Sequence, residues 1–192
     1  MLSSISAAAV SVGRHAMRRP MVGTSTRRWV HVEKRIEELG IELPPAAAPR
    51  ANYNIICRAE GNMLYVSGHI PFQADGTLMT GPVGPEGSVE GHPLDHGYEA
   101  ARCCGLNIVS TLKEQLGDLD RIAQVVKVFG IVNSTTDFKS QHLVMDGCSD
   151  VLMEIFDKPV GYHARSAIGT NTLPLDISVE VEAIVQIKPD EE

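Results

Sequence analysis

The sequence predicts an α+β fold in which one sheet has two helices packed on a single face. Polar and apolar residues alternate over residues 177–187, which indicates a strand with one buried face. Residues 95–116 and 138–156 instead repeat their apolar residues at helical spacing, which indicates two amphipathic helices. Together with the strands described below, these segments give the order β-β-α-β-α-β-β behind a short N-terminal helix.

The first predicted elements are a charged helix, a connector and a hairpin. Residues 31–39 form the helix, which Gly40 ends, and the Pro-rich residues 43–50 cannot continue it. Residues 54–59 and 63–70 flank a Glu-Gly-Asn turn and are predicted to pair as strands. In the second strand, one face carries Leu64, Val66 and Ile70, and the other carries Tyr65, Ser67 and His69.

The strand predicted between the two helices is apolar on both faces. Residues 122–132 are rich in β-branched side chains, interrupted by Gln124 and Lys127, and residues 164–169 form a further short strand. A strand apolar on both faces must be covered on both sides. Because the helices cover one side, we expect a second subunit to cover the other. The apolar stripe of the helix predicted at residues 95–116 consists of Ala101, Cys104, Ile108 and Leu112. The stripe of the helix predicted at residues 138–156 consists of Val144, Cys148, Val151 and Ile155.

The charge of the chain is divided between two unlike parts. The 192 residues carry 17 basic and 24 acidic side chains, a formal net charge of −7. Residues 1–32 hold five of the basic residues, all arginine, together with several serines and no acidic residue. This composition is typical of a mitochondrial transit peptide, and a basic tail that binds an anionic partner is the alternative. We therefore expect a protein of the mitochondrial matrix, with the cytosol as the alternative location.

The rest of the chain argues against several classes of partner. Without the leader, 12 basic residues face 24 acidic ones, a net charge of −12. Binding to nucleic acid through phosphates needs clustered Lys and Arg, so we expect no nucleic-acid partner. No apolar run approaches the ~20 residues of a membrane span, so we expect no membrane partner. The four cysteines lack zinc-ligand spacing, and His92 and His96 lack a third ligand, so we expect no metal.

Two charged residues on predicted strands could carry chemistry. Arg165 lies in an otherwise apolar segment, where a guanidinium needs a carboxylate partner. That partner is either an internal acid, Glu180 or Glu182, or the carboxylate of a ligand. Glu180 itself faces either water or a cleft, and in a cleft it could position or deprotonate a water molecule.

Four segments together resemble the RidA/YjgF family. They are Asn52-Tyr53, LYVSGHIP at residues 64–71, HARS at residues 163–166, and Leu173-Pro174 leading into VEVEAI at residues 179–184. The resemblance covers residues 32–188 and implies a chorismate-mutase-like α+β fold, assembled as a homotrimer with clefts between the subunits. Together with the composition of the leader and the pattern of residues 31–50, it divides the chain into a cleaved or disordered transit peptide (1–30), a helix with its Pro-rich connector (31–50) and a RidA/YjgF-like domain (51–190).

The resemblance also implies an enzyme, a 2-iminobutanoate/2-iminopropanoate deaminase-like hydrolase without metal or cofactor. Such an enzyme converts reactive enamines and imines, such as 2-aminoacrylate, to 2-keto acids and ammonia. Arg165 matches the arginine that grips the substrate carboxylate, and Glu180 matches the acid that orients the attacking water. Tyr53 matches the residue that closes the cleft, and Ser67 and Gly68 match the pair beside the substrate nitrogen.

Three positions around the expected site depart from the family pattern. Ala167 stands where the family often has Cys, His142 where it has Asn, and His69 where it has Gln. Ala167 and His142 are nonetheless expected to border the substrate. The departures leave two other functions open: a non-catalytic trimer that binds a small carboxylic acid, and an endoribonuclease or translation inhibitor, the older family label.

Overall fold

The computed structural model describes residues 31–46, 48 and 51–189. The predicted transit peptide, residues 1–30, lies outside the described residues. Within them, the elements follow the predicted order. The helices are α1 (Val32–Glu38), α2 (Leu94–Leu116), α3 (Gln141–Val144) and α4 (Asp146–Phe156), and the strands are β1 (Ile56–Ala59), β2 (Met63–His69), β3 (Ile122–Asn133), β4 (Ala164–Thr170) and β5 (Val179–Ile187).

The five strands form one sheet in the order β1-β2-β5-β3-β4. β1 and β2 form the predicted hairpin, whose turn holds Gly61 at φ 69° and Asn62 at φ 58°. Glycine and asparagine are the residues that adopt this left-handed conformation at least cost. β5 lies antiparallel between β2 and β3, and β4 runs parallel to β3 at the edge of the sheet. The predicted α+β fold is confirmed.

The helices form one layer on the sheet, with α2 against β2 and β5 and with α4 along α2. The two helices approach closely at Gly147, where a Cβ would lie 2.0 Å from the carbonyl oxygen of Tyr98. Every residue of the two predicted apolar stripes is buried in this layer. Among the described helices, none combines the length and the hydrophobicity that a membrane span requires.

The second predicted helix is in fact two helices. The stripe predicted one helix over residues 138–156, but α3 and α4 are separated at Met145. Phe138 precedes both in a turn, where its N–H donates to the Thr135 carbonyl (3.2 Å). The buried Met145 side chain fills the space over Gly130, where a Cβ would lie 2.1 Å from the Met145 sulfur. Because the apolar stripe continues through this break, periodicity could not reveal it.

A β-bulge moves His69 to the face opposite the predicted one. Val66 pairs with Ala183 and His69 with Val181, so β2 uses an extra residue between these two pairs. His69 therefore faces the helices, as Val66 does. Its side chain is 2% exposed, and Nε2 lies 2.8 Å from Thr111 Oγ1 on α2.

The other face of the sheet is open in the single chain. β5 alternates as predicted, with Glu180 and Glu182 on the open face and valines or alanine beneath the helices. Tyr65 of β2 and Ile168 of β4 lie on the same open face and are 50% and 48% exposed. Apolar side chains gathered on an uncovered face are typical of an interface.

Candidate active site

A cavity of about 640 Å³ lies beside the start of β5. Its walls come from the connector after α1, the bulge of β2, the loop that follows β2 and the turn before β5. Most of the lining side chains are apolar. Of the predicted site residues, the lining contains Tyr53, Gly68 and Glu180, and it does not contain Ser67, His142, Arg165 or Ala167.

Glu180 gives the cavity an acidic group. Its side chain is half-buried, and it forms no hydrogen bond with the residues that the structure describes. Burial raises the pKa of this carboxyl above its ordinary value, and the charge of Glu182 on the same face raises it further. A carboxyl group in this state can hold a water molecule and exchange a proton with it.

The bulge of β2 makes room for the Glu180 side chain. A Cβ at Gly68 would lie 1.9 Å from Oε1 of Glu180, so any side chain at this position would displace the Glu180 carboxylate. The neighbouring Ser67 is anchored to the chain before β1. Its hydroxyl donates to the Asn54 carbonyl (2.8 Å) and its N–H to the Ile55 carbonyl (2.9 Å). Gly68 is therefore in direct contact with Glu180, whereas the Ser67 hydroxyl is already bound to the backbone.

Tyr53 stands at the rim of the cavity, on the segment that leads into β1. The residue is 50% exposed, so its ring is available to cover a ligand. The connector after α1 forms the neighbouring wall. It is fastened to α2 by the Ser110 hydroxyl, which donates to the Pro44 carbonyl (2.5 Å).

Arg165 reaches from β4 toward α3 and α4. Its Nη1 donates to Asp146 Oδ1 (2.8 Å) and Ser149 Oγ (3.0 Å), and its Nη2 donates to the His142 carbonyl (3.0 Å). Within the described residues, these bonds leave the Nε–H and one Nη2–H of the guanidinium unused. His142 thus contacts Arg165 through its backbone, and the residue is exposed.

Arg165 and Glu180 lie on opposite faces of the sheet. Arg165 pairs in register with the buried Val128 and so faces the helices, whereas Glu180 faces the open side. The alternative in which Arg165 forms an ion pair with Glu180 or Glu182 is therefore wrong, because its partner is Asp146. One chain does not bring the two predicted catalytic residues together.

The side chains that hold Arg165 are not among the residues predicted from the sequence. Asp146 and Ser149 lie one helical turn apart on α4, and Ser149 in turn contacts His163 just before β4. Their spacing in the sequence is compatible with one helix face, but only the fold places that face beside Arg165. Ala167, on the same side of β4, packs against the core.

One cluster of acidic side chains lies outside the cavity lining. Glu33, Asp118 and Asp120 bring carboxylate oxygens within 4.8 Å of one another. Each already accepts a hydrogen bond from a backbone N–H, those of Leu119, Asp120 and Val32 respectively. These bonds join α1 to the turn before β3, which gives the cluster a structural role.

Comparisons with known proteins agree with this architecture. The sequence profile described as "YjgF/chorismate mutase-like, putative endoribonuclease" matches residues 33–186. Protein TCP17 of Trypanosoma cruzi is 42% identical over 157 residues, which cover 81% of this chain and 94% of that protein. The mitochondrial protein MMF1 of Saccharomyces cerevisiae is 27% identical over 143 residues, 73% of this chain and 77% of that protein. The crystal structure of Atu1372 from Agrobacterium tumefaciens, a protein of unknown function, is 36% identical, covers 82% of this chain and 94% of that chain, and has a TM-score of 0.70.

Proposed function

Because the chain belongs to the YjgF/chorismate mutase-like family, we propose that it hydrolyses reactive enamines and imines to 2-keto acids and ammonia. The substrates are of the 2-aminoacrylate and 2-iminobutanoate type. The observation that carries the proposal is the Glu180 carboxyl beside the cavity, which has a raised pKa and no hydrogen-bond partner among the described residues. Arg165 supplies the complementary site for the substrate carboxylate, because two N–H groups of its guanidinium form no hydrogen bond with the described residues.

The proposed reaction needs only water as co-reactant. The enamine tautomerises to the imine by moving a proton from nitrogen to the terminal carbon. Water then bonds to C2 and gives one proton to Glu180, while the electron pair of the C=N bond moves to nitrogen, which takes up a proton from solvent. The hydroxyl of this adduct next releases its proton to solvent as the C=O bond forms and the C–N bond breaks, and ammonia leaves with the proton that Glu180 returns.

A homotrimer completes the proposed site. Arg165 and Glu180 are on opposite faces within one chain, so a substrate that touches both must lie between two subunits. The open sheet face supports this arrangement, because Tyr65 and Ile168 are exposed there. Arg165 lies on β4, the edge strand, where a neighbouring subunit can approach it. In the proposed trimer, Arg165 of one subunit therefore meets the cavity of the next.

The remaining predicted site residues take their places around this substrate. Tyr53 closes the cleft, and the backbone of Ser67 and Gly68 lies beside the substrate nitrogen. Tyr53 and Gly68 border the same cavity as Glu180, which supports both roles. Ala167 and His142 border the carboxylate end, and the contact of the His142 carbonyl with Arg165 supports that placement. The small 2-imino or 2-keto acid is then the only partner besides the subunits themselves.

The mitochondrial matrix is the proposed location. The acid-free, Arg-rich composition of residues 1–32 supports it, as does the similarity to a mitochondrial yeast protein. The proposed domains are a transit peptide at residues 1–30, a helix and connector at 31–50, and the RidA/YjgF-like domain at 51–190.

Turnover of an imine made in situ tests the proposed activity. A threonine dehydratase supplies 2-iminobutanoate, and the release of 2-ketobutyrate is followed with and without the full chain. We expect the wild type to accelerate this release, and Arg165→Met and Glu180→Gln each to lower the acceleration about 100-fold or more. Arg58→Met is the matched control, because Arg58 lies on β1 and bonds to Asn62 outside the cavity.

The same preparations distinguish the alternatives. Thermal stabilisation by 2-ketobutyrate without any acceleration would replace the enzyme with a carboxylate-binding protein. Cleavage of single-stranded RNA without acceleration of imine hydrolysis would instead favour the endoribonuclease activity that the family description carries. Either result would overturn the proposed deaminase.

A further inference from the structure

Arg165 is held by a chain of hydrogen bonds that ends in a histidine. The chain runs from Nη1 of Arg165 to Oγ of Ser149 (3.0 Å), then to Nε2 of His163 (3.0 Å). We propose that His163 is a positioning residue, which acts through the Ser149 hydroxyl to orient Arg165 for the carboxylate of the substrate. This inference rests on the proposed function, in which Arg165 binds that carboxylate.

The contacts of His163 define its tautomer. Nδ1 lies 2.6 Å from the Gly161 carbonyl oxygen, which can only accept, so Nδ1 carries the ring proton. In the neutral ring, Nε2 is then an acceptor. The Ser149 hydroxyl therefore donates to Nε2, and the direction of every hydrogen bond in the chain follows from the Gly161 carbonyl.

The direction of the Ser149 hydroxyl matters for Arg165. Because its proton points to His163, its lone pairs are left for Nη1 of Arg165. The same nitrogen also donates to Asp146, so two acceptors on neighbouring turns of α4 hold one end of the guanidinium. Without an acceptor at His163, the hydroxyl proton could rotate toward other acceptors, including Asp146, and the contact to Arg165 would lose its fixed geometry.

The Gly161 end of this hydrogen-bond chain is also held close to α4. The Gly161 N–H donates to the Asp157 carbonyl (2.7 Å), and a Cβ at Gly161 would lie 2.6 Å from the Leu152 carbonyl oxygen. This close fit requires glycine in the turn between α4 and β4. His163 is therefore anchored to α4 through both of its ring nitrogens, directly at Ser149 and indirectly at Gly161.

The hydrogen-bond chain from Arg165 through Ser149 to His163 can form only while His163 is neutral. Burial lowers the pKa of His163; the hydrogen bond to Gly161 opposes this shift, and the charge of Arg165 adds to it. A protonated ring would present N–H at Nε2, which cannot accept from Ser149. The other charged or titratable groups on the surrounding elements lie on α4, α3, β3 and the turn before β4: Asp146, Cys148, Asp150, Glu154, His142, Lys127, Asp157, Lys158 and Tyr162.

Three variants test this role in the imine-hydrolysis assay. His163→Leu removes the acceptor, Ser149→Ala removes the link, and His163→Gln offers an amide oxygen that accepts but never ionises. At pH 8 we expect His163→Leu and Ser149→Ala to lower kcat/KM about tenfold, the loss typical of one hydrogen bond to a charged group. His163→Gln should retain most of the activity. His31→Gln, outside the cavity and the Arg165 network, is the matched control.

The pH dependence separates positioning from a merely structural role. Each variant is compared with the wild type at the same pH, so the ionisation of Glu180 cancels in the ratio. As the pH falls below 6.5, kcat/KM of the wild type should decline toward that of His163→Leu. The ratio of kcat/KM of His163→Gln to that of the wild type should rise over the same range. Equal activity of His163→Leu and the wild type at pH 8, or ratios that do not change with pH, would overturn the positioning role alone. A wild type that neither binds 2-ketobutyrate nor turns over the imine would overturn the proposed function and this inference together.

Discussion

At the scale of single residues, Glu180 and Gly68 depend on each other. The Glu180 carboxylate occupies the space that a side chain at Gly68 would need. A Cβ at Gly68 would lie only 1.9 Å from Oε1 of Glu180. The carboxylate in turn has no hydrogen-bond partner within the described residues. Its position is therefore set by the shape of the β2 bulge.

Gly68→Ala should displace the Glu180 carboxylate and lower kcat/KM for imine hydrolysis about 100-fold, near the effect of removing the acid itself. Far-ultraviolet circular dichroism should show an unchanged fold, because the acidic side chain can swing toward the open face. Gly87→Ala is the control, since a Cβ there meets nothing within 4 Å and Gly87 is outside the cavity lining. It should cost about 1 kcal/mol of stability, because φ is +78°, and leave the activity unchanged. An unimpaired Gly68→Ala enzyme would contradict the role of this contact.

Glu182→Gln should move the acid limb of the pH–rate profile to lower pH. Burial and the Glu182 charge both raise the pKa of Glu180, and the ionised form must accept the proton of the attacking water. Activity is therefore lost as the pH falls through this raised value, and removal of the neighbouring charge lowers the pKa. The measurement is kcat/KM of wild type and variant between pH 4 and pH 8. A limb that stays in place would show that another group controls it.

At the scale of elements, two glycines set how closely α4 and the Met145 break before it approach their neighbours. Gly147 lets α4 meet the backbone of Tyr98 on α2, and Gly130 of β3 lets Met145 lie flat against the sheet. The two contacts differ in kind. The obstacle at Gly147 is a backbone oxygen, whereas at Gly130 it is the far end of a flexible side chain.

Gly147→Ala should therefore destabilise the protein more than Gly130→Ala. The side chain of Met145 can move away from the new methyl group, which limits the cost to about 1–3 kcal/mol. At Gly147 the two helices themselves must separate, which we expect to cost about 4 kcal/mol or more. Chemical denaturation of both variants measures the difference. Equal losses would mean that α2 and α4 can shift apart without disturbing their core.

Periodicity predicted each of these elements, but it did not predict where they are interrupted. The stripe from Val144 to Ile155 continues through the break at Met145, so one helix was predicted where two exist. The alternation in β2 likewise placed His69 on the wrong face, because a bulge adds a residue without changing the polarity pattern. At both interruptions the chain meets another element: Met145 packs over Gly130 of β3, and Gly68 contacts Glu180 of β5.

At the scale of the whole molecule, the sheet separates the two halves of the proposed site. Helices cover the side that Arg165 faces, and Glu180 lies on the side that remains open. No bending of a single sheet brings such residues to one ligand. The proposed trimer does so without changing the subunit.

Mixed assemblies give a direct test of a site shared between subunits. Arg165→Met and Glu180→Gln chains are co-expressed with different tags, and doubly tagged oligomers are purified. In a trimeric ring that contains both variants, about one site in three has both intact residues. We therefore expect about one third of the wild-type turnover from the doubly tagged oligomers, whereas each variant alone stays near the buffer rate. A mixture as inactive as its parents would place both residues in one subunit.

The sequence alone determined the order of the elements and the two helical stripes, and it supplied the residues of the proposed site. It could do so because spacing and polarity along the chain report which face of each element is buried. Only the tertiary structure decided that Asp146, rather than Glu180 or Glu182, pairs with Arg165, and that Ser149 and His163 stand behind it. These contacts join residues of different elements, and their distances depend on how α4 packs beside β4. The role of Gly68 was likewise decided by the tertiary structure. Only the folded sheet brings Glu180 of β5 against this residue and leaves no room there for another side chain while the carboxylate stays in place.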